Sequence, residues 1–234
     1  MDFDGRTVMI TGAAGNLGRA VAQAFAQRGA NRVLIGHSRA SLEKAYGGED
    51  AKTLFAVADL LDQAQVDAAV KASIARFGRI DALANIAGGF RMGETVHAMS
   101  DATWDAMIDV NVRTLLHMVH AVVPAMIAQG GGRIVNVGAY SAQKGVAQMG
   151  AYVAAKSAVI RLTETLAAEL REKNINVNCV LPTIIDTPEN RAGMPKADFS
   201  RWVAPADLAN VIAFLASDDA RAIHGAALPV TGLS

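Results

Sequence analysis

The sequence predicts a single doubly wound, Rossmann-type α/β domain: a parallel sheet of about seven strands with helices on both faces. Three observations predict it. Short apolar, β-branched runs alternate with longer stretches of helical periodicity. The first such run feeds directly into a glycine-rich turn and then a helix. Apolar residues make up 52% of the 234 residues and charged residues 19%, the balance expected of strands buried on both faces. No linker composition or internal repeat divides the chain, so residues 1–234 read as one unit.

Thr7–Ile10 reads as the first strand, and TGAAGNLG, from Thr11 to Gly18, follows at once. Helical spacing then covers residues 17–28 and stops at Gly29. In this context glycines let a pyrophosphate approach the backbone, and the helix N-terminus meets its charge. Gly12, Gly15, Asn16, Leu17 and Gly18 are therefore candidate cofactor contacts; a plain strand-to-helix turn is the other reading. The second strand, residues 32–35, ends at Gly36-His37-Ser38-Arg39. An acid there suits the ribose hydroxyls of NAD, whereas an Arg suits a 2′-phosphate. No Asp or Glu occurs from residue 6 to residue 40, so His37, Ser38 and Arg39 favour NADP(H) over NAD(H). An ordinary solvated arginine is the alternative.

The third strand, residues 54–57, leads to Asp59 and Leu60, candidate contacts beside the adenine; capping of the next helix is the competing role for Asp59 or Asp62. A helix over Gln63–Phe77 ends at Gly78. The fourth strand, residues 80–85, runs into small residues that let a cofactor lie against the backbone, which adds Asn85, Ala87 and Gly88. The next helix contains Trp104 and reaches Asn111, an amide on an apolar face that bonds something specific or sits satisfied in the core. Residues 133–137 form the fifth strand, a long helix runs from Tyr152 to about Lys173, and residues 177–181 form the sixth strand. Residues 182–202 are rich in Pro, Gly and turn formers and read as a structureless functional lid. A helix over residues 205–216 and a strand at Ala227–Val230 complete the pattern.

The chemistry concentrates in residues 133–156. Residues four apart share a helix face, so Tyr152 and Lys156 present a phenol and an ammonium side by side. A phenol is a poor acid or base at neutral pH, and a nearby cation lowers its pKa by about 1–3 units. The pair reads as a proton-handling centre. Tyr140 and Lys144 repeat the spacing, but in a loop where it imposes no shared face. The glycine loop, Asn85–Gly88, Gly138-Ala139 and Pro182 all fall at carboxyl ends of strands, where ligands bind in such folds.

Composition excludes other classes. Lys plus Arg and Asp plus Glu number 22 each, with no basic stripe, which argues against a nucleic-acid partner. The single cysteine, Cys179, lies in an apolar run and reads as a buried structural thiol. His97, His117 and His120 lack companions at metal-ligand spacing. The N-terminus carries acids where a signal peptide carries bases, and residues 115–128 are interrupted by His117, His120 and Pro124. A cytoplasmic protein acting on a small molecule, without membrane attachment, is the expectation.

Taken together these motifs resemble the short-chain dehydrogenase/reductase family over nearly the whole chain. The matching pieces are Thr11–Gly18, Asp59, Asn85-Ile86-Ala87-Gly88, Asn111, Tyr152-x-x-x-Lys156 and the segment from Pro182 to Thr187. The resemblance implies that Tyr152 transfers the proton, that Lys156 binds the nicotinamide ribose and lowers the tyrosine pKa, and that Asn111 helps hold a water relay. It implies cofactor contacts at Pro182 and Thr187, a substrate cover over residues 183–202, and homotetramers or homodimers built through helices near 103–129 and 150–173.

Two positions depart from the family pattern. The serine thirteen residues before the tyrosine is Ala139, and losing one such hydrogen-bond donor typically costs about 10²–10³ in rate. Asn16 stands where the usual glycine loop has Gly. The dihydropteridine reductases, a branch this chain also resembles, share the Gly12-x-x-Gly15-x-x-Gly18 spacing, an alanine at the serine position, an aromatic after Ala87-Gly88-Gly89, and much of residues 181–202. That likeness implies a conjugated imine or quinonoid substrate, although those enzymes carry an acid after the second strand and this chain does not. The alternatives are a 3-oxoacyl or ketone reductase using Ser141 as the relocated donor, or a nucleotide-binding regulatory protein that has lost catalysis. Phe90, Met149, Phe199 and Trp202 are candidates for an apolar substrate pocket.

Overall fold

Strands without a polar face need cover on both sides, and that requirement sets the architecture. In the computed structural model, which describes residues 1–234, seven parallel strands form one sheet in the order β3-β2-β1-β4-β5-β6-β7. They are β1 Thr7–Ile10, β2 Asn31–Gly36, β3 Thr53–Val57, β4 Ala82–Asn85, β5 Gly132–Val137, β6 Ile175–Pro182 and β7 Ala227–Val230. Every residue of β1, β4 and β6 is buried. Alternate side chains feed two separate cores. Met9, Val33, Leu83, Ile134 and Val177 enter one, with residues from α3 Gln63–Phe77, α5 Thr114–Ala128 and α6 Gly150–Leu170. Val8, Ile10, Leu34, Val135 and Val180 enter the other, with α1 Asn16–Ala26, α2 Arg39–Tyr46 and α8 Pro205–Leu215. Each fully buried Leu, Ile or Val contributes about 1.5–3 kcal/mol.

The strand order reverses at β1, which pairs with both β2 and β4. Crossovers from β1 and β4 therefore leave in opposite directions and open a crevice at the carboxyl ends of these two strands. The loop after β1 fits only because two of its residues lack side chains. Gly12 holds φ +60°, and a Cβ there would lie 3.0 Å from the Ala87 Cα. A Cβ on Gly18 would be driven into the Gly12 carbonyl oxygen and would lie 2.8 Å from the Ala13 Cα.

The expected strands and long helices are present with shifts of a few residues at their ends, and three features differ. The helix α2 was not expected: it is polar, and Leu42 is its one buried residue. Its start is set by Ser38, whose hydroxyl accepts from the Ser41 amide at 3.2 Å, a local capping signal rather than a periodic one. Residues 182–202 are not structureless. They contain α7 Pro188–Gly193, capped by the Thr187 hydroxyl with Pro188 in the first turn, and a bridge pairs Ile185 with Val203. Finally, the long helix expected near 103–129 is present as the 28-residue stretch Asp101–Ala128, but with an unexpected π turn at Asp109–Arg113 between α4 Asp101–Ile108 and α5. That stretch is apolar and long enough to cross a membrane by length and composition, despite Pro124. Leu115, Met118, Val122 and Met126 on it are buried in the core beside the sheet.

Gly18→Ala is expected to lower the free energy of urea unfolding by about 1–3 kcal/mol, since backbone rather than a flexible side chain must yield. Wild-type stability in that variant would contradict the close packing of loop and helix.

Candidate active site

Strand ends place the site, and hydrogen bonds among them hold its floor. The Thr11 hydroxyl oxygen, at the end of β1, accepts from the amides of Ile86 and Ala87 at 2.9 and 3.0 Å. This pins the turn after β4 against the glycine loop. The Asn85 amide donates to Asn136 Oδ1, Asn136 donates to the Thr163 hydroxyl oxygen, both at 2.9 Å, and Thr163 donates to the Val159 carbonyl. A buried polar chain thus runs from β4 through β5 into α6. Asn136 and Thr163 escaped the sequence reading, and Thr11 was read only as the start of the glycine loop: Asn136 hides in the apolar run IVNV, and its partners lie far away in sequence.

Above this floor the catalytic candidates converge. Asn111 sits in the π turn, buried; its Nδ2 donates to the carbonyls of Gly89 and Met107 at 3.0 Å, and its Oδ1 accepts from the Gly89 amide at 3.1 Å. A Cβ on Gly88 would lie 2.9 Å from Asn111 Oδ1 and 3.2 Å from Lys156 Nζ. Gly88, Asn111 and Lys156 therefore meet at one point. The Lys156 residue is only 5% exposed, and its ammonium donates to the Val137 carbonyl at 2.8 Å, at the end of β5.

The electrostatics correct one expectation. Lys156 was expected to make Tyr152 more acidic, yet burial alone acts on the phenol and pushes its pKa up to about 12. Burial pushes the Lys156 ammonium down to about 8. Helical spacing correctly puts both residues on α6, but the ammonium takes the Val137 carbonyl as its partner. Phe90, itself 54% exposed, sets its ring 4.8 Å from that of Tyr152, edge-on at 85°.

The other candidates separate into groups. Gly15 caps α1 without a side-chain hydrogen bond, so that helix start has amides free for a ligand, and Leu17 packs against the core beneath it. Tyr46 anchors the loop by donating to the Ala13 carbonyl at 2.6 Å. At the end of β2, His37 is exposed, Ser38 caps α2, and Arg39 pairs at 2.9 Å with both Glu43 and Glu49. Arg39 is thus a solvated arginine, 56% exposed, held in surface ion pairs. Asp59 accepts from the Leu61 amide at 2.9 Å, while the cap of α3 is Asp62. The buried Leu60 offers its carbonyl to His117 Nδ1 at 2.8 Å. Pro182 ends β6, and Thr187 caps α7.

Ala139 is buried and brings no hydroxyl; Ser141 lies in the short turn Tyr140–Gln143, partly buried. Tyr140 and Lys144 are exposed and share no helix. Of the four pocket candidates, Phe90 meets Tyr152, and Phe199 meets Trp202 at 4.8 Å. Cys179 is fully buried, and burial pushes its thiol up to about 11.

Would a dinucleotide fit these residues? Two features of the crevice answer. Glycines 12 and 88 leave spaces that a Cβ would fill, one against Ala87 and one against Asn111 and Lys156. The Asn85 Oδ1 is buried without a partner, at a cavity of about 10 Å³ lined by Thr11, Ala87, Asn111, Thr114 and Val137 among others. The residues fit the group: a glycine loop with free amides for the pyrophosphate, and a cationic, small-residue floor at the sheet's switch point.

The family model described as short chain dehydrogenase matches residues 6–197. The chain is 34% identical to the 3-oxoacyl-[acyl-carrier-protein] reductase FabG of Thermotoga maritima, covering 99% of this chain and 98% of that one. Among solved structures, the 3-ketoacyl-(acyl-carrier-protein) reductase of Brucella melitensis complexed with NADH superposes with TM-score 0.87 at 31% identity, over 98% of each chain. A gluconate 5-dehydrogenase from Burkholderia cenocepacia in complex with NADP and tartrate gives TM-score 0.90 at 31% identity, over 99% of this chain and 95% of that one. Fold, site and relatives define an NAD(P)-dependent oxidoreductase, which displaces the reading as a catalytically silent nucleotide binder. The chain belongs to the short-chain dehydrogenase/reductase family.

Lys156 gives the free protein a pH signature. The unfolded chain keeps this proton up to the ordinary lysine value of 10.5, whereas the folded protein releases it from about 8. Between these values the unfolded state binds more protons, so this group makes stability rise with pH, by at most about 1.4 kcal/mol per unit. Urea unfolding of wild type and Lys156→Met across that window is expected to show the difference growing in favour of wild type. A flat difference would contradict a buried ammonium.

Proposed function

We propose that this chain is a cytoplasmic reductase that uses NADPH in preference to NADH and delivers hydride to a carbonyl or conjugated imine or quinonoid carbon of a small molecule. The convergence of Lys156, Asn111 and Gly88 at the carboxyl ends of β4 and β5 carries this reading, with Tyr152 one helical turn before Lys156 on α6 and against the Phe90 ring. A reduced nicotinamide, when bound, supplies the hydride. Tyr152 gives its phenolic proton to the substrate oxygen or nitrogen as that atom gains electron density, leaving a phenolate. Lys156, held by Val137, orients the ribose. Asn111 fixes the turn at Gly89 and steadies the water path by which the phenol regains a proton.

The glycine loop of Gly12, Gly15, Asn16, Leu17 and Gly18 takes the pyrophosphate in this reading. Asp59 and Leu60 flank the adenine, Asn85, Ala87 and Gly88 form the floor, and Pro182 and Thr187 meet the nicotinamide end. His37, Ser38 and Arg39 support NADPH, because no acid stands at the end of β2 to accept from ribose hydroxyls, and a 2′-phosphate would take Arg39 from Glu43 and Glu49. Residues 183–202 serve as the substrate cover. Exposed Trp104, Leu116 and Ile127 on α4 and α5 support a homotetramer or homodimer assembled through those helices and α6.

Two observations pull the substrate in different directions. Ala139 and the dihydropteridine reductase-like residues 181–202 favour an imine or quinonoid, which needs little oxyanion stabilisation. The 3-oxoacyl reductases among the relatives favour a ketone, with Ser141 as donor. Tyr152→Phe is expected to cut turnover at least about 10²-fold while dinucleotide affinity stays near wild type; undiminished turnover would refute the assignment. Ser141→Ala separates the substrates. The imine reading expects little change, and a loss of about 10²–10³ in rate on a ketone selects the second.

A further inference from the structure

We propose that Glu189 is a competing anion for the dinucleotide's pyrophosphate, holding residues 183–202 against the glycine loop until the dinucleotide displaces it. The proposal rests on the NAD(P)-dependent class given above.

The contact is specific. Asn16 Nδ2 donates to Glu189 Oε2 at 2.7 Å, joining residues 173 apart in sequence. The amide is held in that orientation by Arg19, which donates to Asn16 Oδ1 at 2.8 Å. Asn16 is the first residue of α1, directly after the N-cap Gly15, which brings no side-chain cap, at the helix start whose free amides suit an anion. A glycine at this position, as in the usual family loop, has no side chain to make the bond. The lid segment therefore delivers a carboxylate beside the place where the dinucleotide brings its phosphates.

The segment is built to present that carboxylate. Asp186 donates its amide to the Val203 carbonyl at 2.8 Å, and Val203 donates to Ile184 at 2.9 Å, so both ends are anchored on the body. Between them Thr187 caps α7, and Asn190 donates to the Ile185 carbonyl at 2.8 Å, which fixes Glu189 on a short rigid turn. Hydrogen bonds from its own amide, Thr187 and Asn16 hold the Glu189 carboxyl below the usual range, so it is an anion at neutral pH. Both partners lie at the surface, and an exposed contact of this kind is weak and exchangeable. Two phosphate charges and one carboxylate repel at short range, so entry of the cofactor requires Glu189 to leave.

The test is titration of NADH and NADPH, followed by nicotinamide fluorescence, into wild type, Glu189→Gln and Glu189→Ala. Both variants are expected to bind both nucleotides more tightly by about fivefold, and to the same degree, because the pyrophosphate is common to the two. Without nucleotide, amide hydrogen exchange over residues 188–193 is expected to quicken several-fold in Glu189→Ala. Unchanged or weaker nucleotide binding in the variants, or unchanged exchange, would overturn the proposal while leaving the enzyme class intact. Wild-type protein that binds neither nucleotide would overturn the functional reading together with it.

Discussion

The site depends on one buried charge. The Lys156 ammonium lies beneath the surface with the Val137 carbonyl as its hydrogen-bond partner. Leaving an ammonium in such a place costs on the order of several kcal/mol, partly offset by that bond. The cost is relieved by any ligand that brings hydroxyls or negative charge to the same point, and by loss of the proton. The same burial that depresses Lys156 raises Tyr152. Before a ligand arrives, then, the pair is poised with a fully protonated phenol and a lysine ready to lose its proton slightly above neutrality.

Around that charge the chain removes atoms more than it adds them. Gly88 leaves room where Asn111 and Lys156 converge, Gly12 lets the glycine loop touch Ala87, and Gly18 lets α1 start against the loop backbone. Polar groups that remain are tied across elements. Thr11 binds β1 to the turn after β4, and the chain from Asn85 through Asn136 to Thr163 couples the sheet to α6. In a low-dielectric interior such bonds fix geometry strongly, and an unpaired member is expensive. The unpaired Asn85 Oδ1 beside the crevice is therefore coherent with a site finished by its ligand.

Much of the fold was legible because it is written in periodicity. Strands buried on both faces appear as β-branched apolar runs, and helices such as Gln63–Phe77 carry an apolar stripe that ends at Gly78. What was not legible lacked that signature. The helix α2 is anchored by Leu42 alone, and α7 depends on the Thr187-Pro188 cap within a segment that composition marks as loop. At the site, the glycine loop and the Tyr152–Lys156 pair could be found from local spacing. Asn136, Thr163 and Glu49 could not, because each acquires its role from a partner brought near by folding. The electrostatic relation of Tyr152 to Lys156 was misjudged for a similar reason. Spacing fixes a shared helix face but says nothing of how deeply that face is buried or which carbonyl the ammonium takes.

The central claim is that the Lys156 amine is desolvated at the end of β5. It is tested most directly by carbon-13 NMR titration of the lysine side chains in the free protein, with Lys156→Met identifying the resonance. A resonance absent from that variant and titrating near 8 is the outcome this account predicts. Titration of that resonance at the ordinary lysine value of 10.5 would contradict it.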